Sequence, residues 1–185
     1  VTGVQTCALP IFLNCFEKIQ HVALRQISSL RQTGRISGSD FLQIAGASAI
    51  LPQAESLQAL EALCRMQAGT EPAGKTVFVC GTAHEGVELY RVIESCGATV
   101  IGEDHGWGHP ESLPARVDSP QRIGRWIASE AEGLKPDLVL HLTIDGDEAA
   151  PWDIAALKRA LPVEQAFAAL RCASLPNDSF RAQIA

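Results

Sequence analysis

Apolar residues recur at helical spacing through the first third of the chain, and the spacing predicts three helices there. The first runs from Phe16 to Thr33, the second from Phe41 to Ser48 after a turn and N-cap at residues 37–40, and the third from Pro52 to near Gly69. The apolar face of the first helix is made by Ile19, Val22, Ala23, Ile27 and Leu30.

After a Glu-Pro-Ala-Gly linker at residues 71–74 the pattern changes, because short apolar, β-branched runs now alternate with helical stretches. We predict strands at 76–80, 98–101, 137–143 and 166–171, and helices at 87–95, 120–132, 151–161 and from 178 onward. Such alternation is typical of a parallel sheet with helices on its faces. The predicted fold class is therefore α/β, a doubly wound parallel sheet of about four strands with flanking helices, preceded by a helical connector.

The first eleven residues, VTGVQTCALPI, carry no charge and no helical or strand period. The string resembles the in-frame translation of a short-read sequencing adapter, so we expect residues 1–11 to be an artefactual head. We assign residues 12–70 to the helical connector and residues 75–185 to the α/β domain, whose end at Ser179–Ala185 falls inside a predicted helix.

Composition narrows the class of protein. With 46% hydrophobic and 19% charged residues the chain can bury a core and is not mainly disordered. The net charge of −6 argues against nucleic acid as a partner, and no apolar run approaches the ~20 residues of a membrane span. The cysteines outside the head are odd in number and form no C-x-x-C pair, which indicates buried thiols in a reducing, cytoplasmic setting.

In open parallel sheets ligands bind beyond the carboxyl ends of the strands, which selects the loops at 81–86, 102–119, 143–151 and 172–177. In the first of these, Gly81 and Thr82 allow a tight turn and close approach of a ligand. The loop lacks G-x-G-x-x-G and G-K-[ST], so a dinucleotide or phosphate-loop site is poorly supported, and a plain turn is the alternative.

The loop after the second strand is the richest in chemistry, because Glu103, Asp104, His105 and Trp107 stand among glycines. We predict that these four residues line a cleft, with His105 as the proton-transfer group, since its unperturbed pKa lies near neutrality, and Glu103 as a second catalytic candidate. A metal site with His109 is less favoured because the glycines make a helix improbable, and a solvated loop is the bland alternative.

The loop after the third strand is acidic, with D-G-D-E at residues 145–148. It lacks the ligand spacing of a calcium loop, and acids at this position also stabilise the start of a helix. Pro151 and Trp152 follow at that helix start, and we predict that they line the same cleft.

Several segments, taken by their order and spacing over residues 12–185, carry a resemblance to one known family. They are GRISGSD at 34–40, VFVCG at 77–81, IESCGA at 93–98, VIGED at 100–104, and Pro151-Trp152 ahead of ALKRAL at 156–161. By these segments the chain resembles the 2-hydroxyacyl-CoA dehydratase D-component family, which also includes subunits of ATP-dependent benzoyl-CoA reductase.

The resemblance implies a Rossmann-like C-terminal domain of one subunit in a heterodimer with a homologous second subunit. It further implies a 4Fe-4S cluster held by cysteines mostly outside this chain, and an ATP-dependent activator protein that supplies an electron. The substrate would be an acyl-CoA thioester, reduced to a ketyl radical before water leaves or an aromatic ring is reduced.

One position departs from the family pattern. Cluster-bearing members place a cysteine about two residues before the proline matched by Pro151, where this chain has Ala149, and Cys172 does not match that position. We therefore predict no metal ligand in this chain. Three hypotheses follow: a subunit of an acyl-CoA dehydratase or reductase, a partner subunit that has lost its cluster and is not catalytic, and an unrelated nucleotide-binding module.

Overall fold

The computed structural model describes the chain in five stretches. They are residues 5–66, 72, 74–83, 86–104 and 119–173, with the backbone alone described for residues 5–15 and 17. The predicted helix from residue 178 lies outside these stretches.

Four strands form one sheet in the described part of the chain, and every pairing is parallel. The strand order is β2-β1-β3-β4. The bounds are β1 Lys75–Gly81, β2 Ala98–Glu103, β3 Leu138–Ile144 and β4 Phe167–Cys172. The predicted α/β fold class, with about four parallel strands and flanking helices, is confirmed.

Six helices accompany the sheet within the described residues: α1 Gln5–Gln32, α2 Gly38–Ile50, α3 Gln53–Cys64, α4 Glu88–Ser95, α5 Pro120–Leu134 and α6 Ala150–Ala160. The backbone of α1 begins at Gln5 and so runs through the end of the segment predicted to be an artefactual head. None of the helices in the described part of the chain is both long enough and apolar enough to cross a membrane.

The sheet buries apolar side chains on both faces. On one face α4 and Leu42 of α2 cover the strands; the buried residues are Val77, Val79, Leu89, Tyr90, Val92, Ile93, Val100, Leu140, Leu142 and Cys172. On the other face α5 and α6 pack over Phe78, Cys80 and Val139. The near-continuous burial of β1 and β3 follows from this, because both sides of a central parallel strand face helices.

The helices α1 to α3 form a core of their own, made by Leu24, Ile27, Leu30, Phe41, Ala45 and Leu60. This helical unit packs directly on the sheet rather than apart from it. At the start of α2, a Cβ on Gly38 would lie 2.6 Å from the carbonyl oxygen of Val100 in β2. The assignment of residues 12–70 and 75–185 as separate domains stays a prediction.

Several predicted boundaries were wrong, among them the end of α3, which lies at Cys64 and not near Gly69, and two of them have identifiable reasons. Helix α2 begins at Gly38 and not at Phe41, because Ser37 is its N-cap. The Ser37 hydroxyl accepts a hydrogen bond from the Asp40 amide at 3.0 Å, and the Asp40 carboxylate accepts one from the Ser37 amide. Strand β2 continues through Gly102 and Glu103, whereas the sequence predicts a loop from residue 102. It does so because Gly102 has no side chain to clash with Phe78, whose ring would lie 2.6 Å from a Cβ there.

Two glycines of α5 test how closely α5 packs on α6. A Cβ on Gly124 would lie 2.9 Å from the backbone of α6 at Ala156 and Leu157, whereas a Cβ on Gly133 would meet nothing within 4 Å. We expect Gly124→Ala to destabilise the protein by about 1–3 kcal/mol through overpacking. Gly133→Ala, the matched control, should stabilise it by up to ~1 kcal/mol through helix propensity. Urea unfolding measures both, and equal effects would contradict the packing described.

Candidate functional site

The carboxyl edge of the sheet has a topological switch point between β1 and β3, where the fold class predicts a ligand-binding crevice. These strands are neighbours, but the chain leaves β1 for α4 on one face and leaves β3 for α6 on the other. Such a switch point opens a space between the two departing loops, and ligands of parallel α/β proteins bind there.

The turn after β1 is tied to β3 by hydrogen bonds at this edge. The Thr82 amide donates to the carbonyl oxygen of Leu142 at 2.8 Å, and the Ile144 amide donates to the Thr82 hydroxyl oxygen at 3.1 Å. Gly81 has a φ of 105°, and a Cβ at that position would overlap the Leu142 carbonyl. The glycine is therefore required by the approach of β3, so its presence is no evidence of a ligand.

Glu103 is the last residue of β2 and Asp104 follows it, and the two side chains make different contacts near this turn. The Asp104 amide donates to the carbonyl of Val79, and the Asp104 carboxylate accepts from the Gly81 amide at 3.2 Å. Asp104 therefore continues the link between β1 and β2 past the end of the strand. It is 5% exposed, and the Glu103 carboxylate is fully buried at 0%.

Glu103 lies in a charged network beneath the α1 and α4 helices. Both of its carboxylate oxygens accept from the Arg31 guanidinium, through Nη1 and through Nη2, the latter at 3.0 Å. The Tyr90 hydroxyl of α4 donates to the same carboxylate at 2.9 Å. A carboxylate can be buried completely when it is paired in this bidentate way and hydrogen-bonded as well.

Arg31 is held from the helical unit. It is 2% exposed, its Nη2 donates to the Ser28 hydroxyl at 3.0 Å, and its guanidinium carbon lies 4.1 Å from the centre of the Phe41 ring. Cation–π contact and a hydrogen bond to its own helix orient the guanidinium toward the sheet. The last turn of α1 is thereby in direct contact with the end of β2.

A second carboxylate joins the helical unit to the sheet. Glu94 of α4 accepts from the amides of Gly38 and Ser39 at the start of α2, at 2.6 Å and 3.3 Å, and from the Ser39 hydroxyl at 2.7 Å. These contacts satisfy helix amides that have no partner within α2, and a negative charge is favoured at a helix N-terminus.

The acidic loop after β3 shapes the other side of the crevice. The Asp147 carboxylate accepts from the amides of Ala149 and Ala150 at 2.9 Å and 3.0 Å, so it caps α6. Asp145 pairs with Arg171 at 2.6 Å and ties the ends of β3 and β4 together. Asp147 thus stabilises the start of a helix, the alternative to a calcium loop, whereas Asp145 joins two strand ends.

Of the predicted site residues, the structure brings Gly81, Thr82 and Asp104 together by hydrogen bonds at the carboxyl edge. Pro151 and Trp152 lie at the start of α6 at the same edge, and Trp152 is 74% exposed. Glu103 points away from the crevice into the network with Arg31.

His105, Trp107 and His109 lie outside the described residues. Their predicted roles stay predictions.

Sequence reasoning missed Arg31, Tyr90 and Glu94, because α1 and α4 were read only for their apolar faces. A signal for Arg31 was present: it stands four residues after Ile27 and seven after Leu24, on the buried stripe of α1. A charge in an apolar stripe calls for a buried partner.

The cysteines can be tested against a cluster. Cys64 ends α3, Cys80 is buried in β1, Cys96 is exposed after α4 at the amino edge, and Cys172 ends β4. No group of three or more His, Cys, Asp or Glu that could hold a metal occurs among the described residues. Burial and then Asp145 raise the pKa of the Cys172 thiol, which disfavours the thiolate that binds iron. The described residues by themselves therefore supply no set of three ligands for a cluster.

Tyr90 provides a direct test of the buried network, because it is the single tyrosine of the chain. Burial, followed by the Glu103 charge, raises its pKa well above the ordinary value of 10.0. Because Tyr90 ionises at lower pH in the unfolded chain than in the folded one, its contribution to the free energy of unfolding is fully present below pH 10. That contribution is lost as the pH rises above 10.

We expect tyrosinate absorbance in the ultraviolet to stay absent in the native protein through pH 10 and to appear only with unfolding. The urea-unfolded chain, as the control, should titrate near the ordinary pKa. Titration of the native protein with that ordinary pKa would contradict the burial of this network.

Comparison with known proteins identifies the family of this chain. The family described as 2-hydroxyglutaryl-CoA dehydratase, D-component, matches residues 17–174. No curated protein sequence matches the chain. Because the family match covers most of the helical unit and the whole described sheet, the chain belongs to the 2-hydroxyglutaryl-CoA dehydratase D-component family.

Proposed function

We propose that the chain is part of a subunit of an enzyme complex that removes water from a 2-hydroxyacyl-CoA thioester. The observation that carries this proposal is the family match over residues 17–174, which spans the crevice at the carboxyl edge. The family description names a component of a dehydratase, which supports assembly with a homologous second subunit. Membership in this family also counts against an unrelated nucleotide-binding module.

The described residues support a binding role. The turn at Gly81 and Thr82 is fixed by hydrogen bonds to β3, so it gives the thioester a rigid wall. Trp152 offers a large, exposed aromatic surface at the start of α6, suited to the adenine ring or the acyl group of the substrate. In this proposal the chain binds and orients the thioester and excludes water.

Electron chemistry is assigned to groups outside the described residues. The family resemblance implies a 4Fe-4S cluster, an ATP-dependent activator and a ketyl radical, but the described residues supply no ligand set for a cluster. We infer no step through one. His105 remains the proposed proton-transfer group, while the buried contacts of Glu103 favour a positioning role over acid–base catalysis.

A second candidate is a partner subunit without a cluster that supports the catalytic one. Ala149, at the position where cluster-bearing members have cysteine, is the exposed N-cap of α6. The scattered cysteines favour this candidate as well.

Exposed Trp152 tests the substrate assignment with little risk to folding. In the assembled complex we expect Trp152→Ala to weaken acyl-CoA binding about 3- to 10-fold, the value of one aromatic contact. Val163→Ala is the matched control, since Val163 is fully exposed in the loop before β4, at the opposite edge of the sheet. Titration with acyl-CoA and with free coenzyme A measures both variants.

The assignment fails if the wild-type complex binds no acyl-CoA and dehydrates none of a panel of 2-hydroxyacyl-CoA thioesters. Equal effects of Trp152→Ala and Val163→Ala would remove Trp152 from the site while leaving the activity in place.

Iron content separates the cluster hypotheses. We expect Cys172→Ala to leave the iron and sulfide of the anaerobically purified complex unchanged, because this buried thiol lies among apolar side chains. Cys96→Ala, at the opposite sheet edge, serves as the control. Loss of iron in Cys172→Ala alone would show that this chain does hold a cluster.

A further inference from the structure

Arg31 is a buried, charged residue far from the crevice in sequence, and it belongs to the helical unit rather than to the α/β sheet. Its side chain nevertheless contacts the end of β2, next to the turn that forms one wall of the crevice, through both oxygens of Glu103. This contact spans 72 positions of the chain.

Glu103 and Asp104 are consecutive, and consecutive residues of a strand point in different directions. The Glu103 side chain is fixed on the side of α1 and α4, by Arg31 and by Tyr90. That contact fixes the backbone at the end of β2, and the direction of the Asp104 carboxylate follows from it.

Asp104, which follows the last residue of β2, makes hydrogen bonds to β1 in the place of a further strand residue. Its amide donates to the Val79 carbonyl and its carboxylate accepts from the Gly81 amide. A continuing strand would offer a backbone carbonyl to Gly81; here a side chain takes that place. The position of the turn after β1 therefore depends on where Asp104 is held.

We propose that Arg31 is a positioning residue for the crevice, acting through Glu103 and Asp104 on the turn at Gly81. Without the guanidinium, the buried Glu103 carboxylate loses its bidentate ion pair, and its hydration draws the end of β2 away from its place beside β1. The helical unit thus contributes to the site without touching the substrate. This inference deepens the proposed function and rests on it only where substrate turnover is measured.

Amide hydrogen exchange in the full chain is the first test, since it needs no substrate. In Arg31→Met we expect the amides of Gly81 and Asp104 to exchange about tenfold faster or more, because the edge opens locally. The Thr76 amide, which donates to Asp137 at the amino edge, should keep its wild-type rate. The control variant Lys75→Met, which breaks the exposed pair with Asp137, should give the reverse pattern.

Two further variants separate the ion pair from simple packing. Arg31→Lys keeps the charge with fewer contacts and should give an intermediate rate. Arg31→Met/Glu103→Gln removes both charges and keeps a hydrogen-bond acceptor for Tyr90, so exchange should return to within about threefold of wild type. The double variant also keeps the test open if Arg31→Met fails to fold.

Turnover in the assembled complex is the second test. We expect Arg31→Met to lower kcat about tenfold with a smaller change in KM, and the double variant to recover most of this loss, as misplacement of a site wall predicts. A double variant that recovers amide protection but no turnover would show that Glu103 itself is catalytic and would overturn the positioning role.

Unchanged exchange at Gly81 and Asp104 in Arg31→Met would overturn the proposal outright. If exchange changes as expected while the wild-type complex dehydrates no 2-hydroxyacyl-CoA thioester, the positioning role stands and the proposed function fails.

Discussion

The ion pair between Arg31 and Glu103 is the contact on which the arrangement of the carboxyl edge depends. It is buried, and it joins the helical unit to the sheet. Its carboxylate belongs to the last residue of β2, just before the loop that has the most candidate catalytic residues. A buried pair of this kind adds little net stability over an apolar contact, but breaking it on one side is costly. It therefore specifies how the two parts of the chain fit together.

Two other carboxylates also join separate elements of the chain to one another. Glu94 caps α2 from the sheet side, and Asp104 continues the pairing of β2 onto the turn at Gly81. Glu103 and Asp104 thus occupy structural positions beside the crevice, which leaves the exposed surface near Trp152 as the described part of the site that is available to a ligand.

The order of the elements could be predicted from the sequence, since hydrophobic period follows secondary structure directly. The runs that became β1 and β3 were predicted to within one or two residues, because strands buried on both faces are nearly continuous in apolar residues. The end of β2 was harder to predict from the sequence, because Gly102 and Glu103 have low strand propensity. Their place in the strand is explained only by their tertiary contacts with Phe78 and Arg31.

The site was harder to predict for the same reason. Proximity to a strand end selected Gly81, Thr82 and Asp104, which the structure places next to one another, but it could not distinguish Asp104 from Glu103, whose side chain points to α1. Which acid lines a crevice depends on tertiary partners 72 positions away, and no local pattern encodes them. The family resemblance carried the functional inference that residue spacing could not.

A double-mutant cycle on Arg31 and Glu103, read by urea unfolding of the full chain, tests this account most directly. We predict that Arg31→Met and Glu103→Gln each cost about 3–5 kcal/mol and that the double variant costs much less than their sum, since neither charge is then left buried alone. Additive losses below ~1 kcal/mol each, the behaviour of an exposed ion pair, would contradict the account.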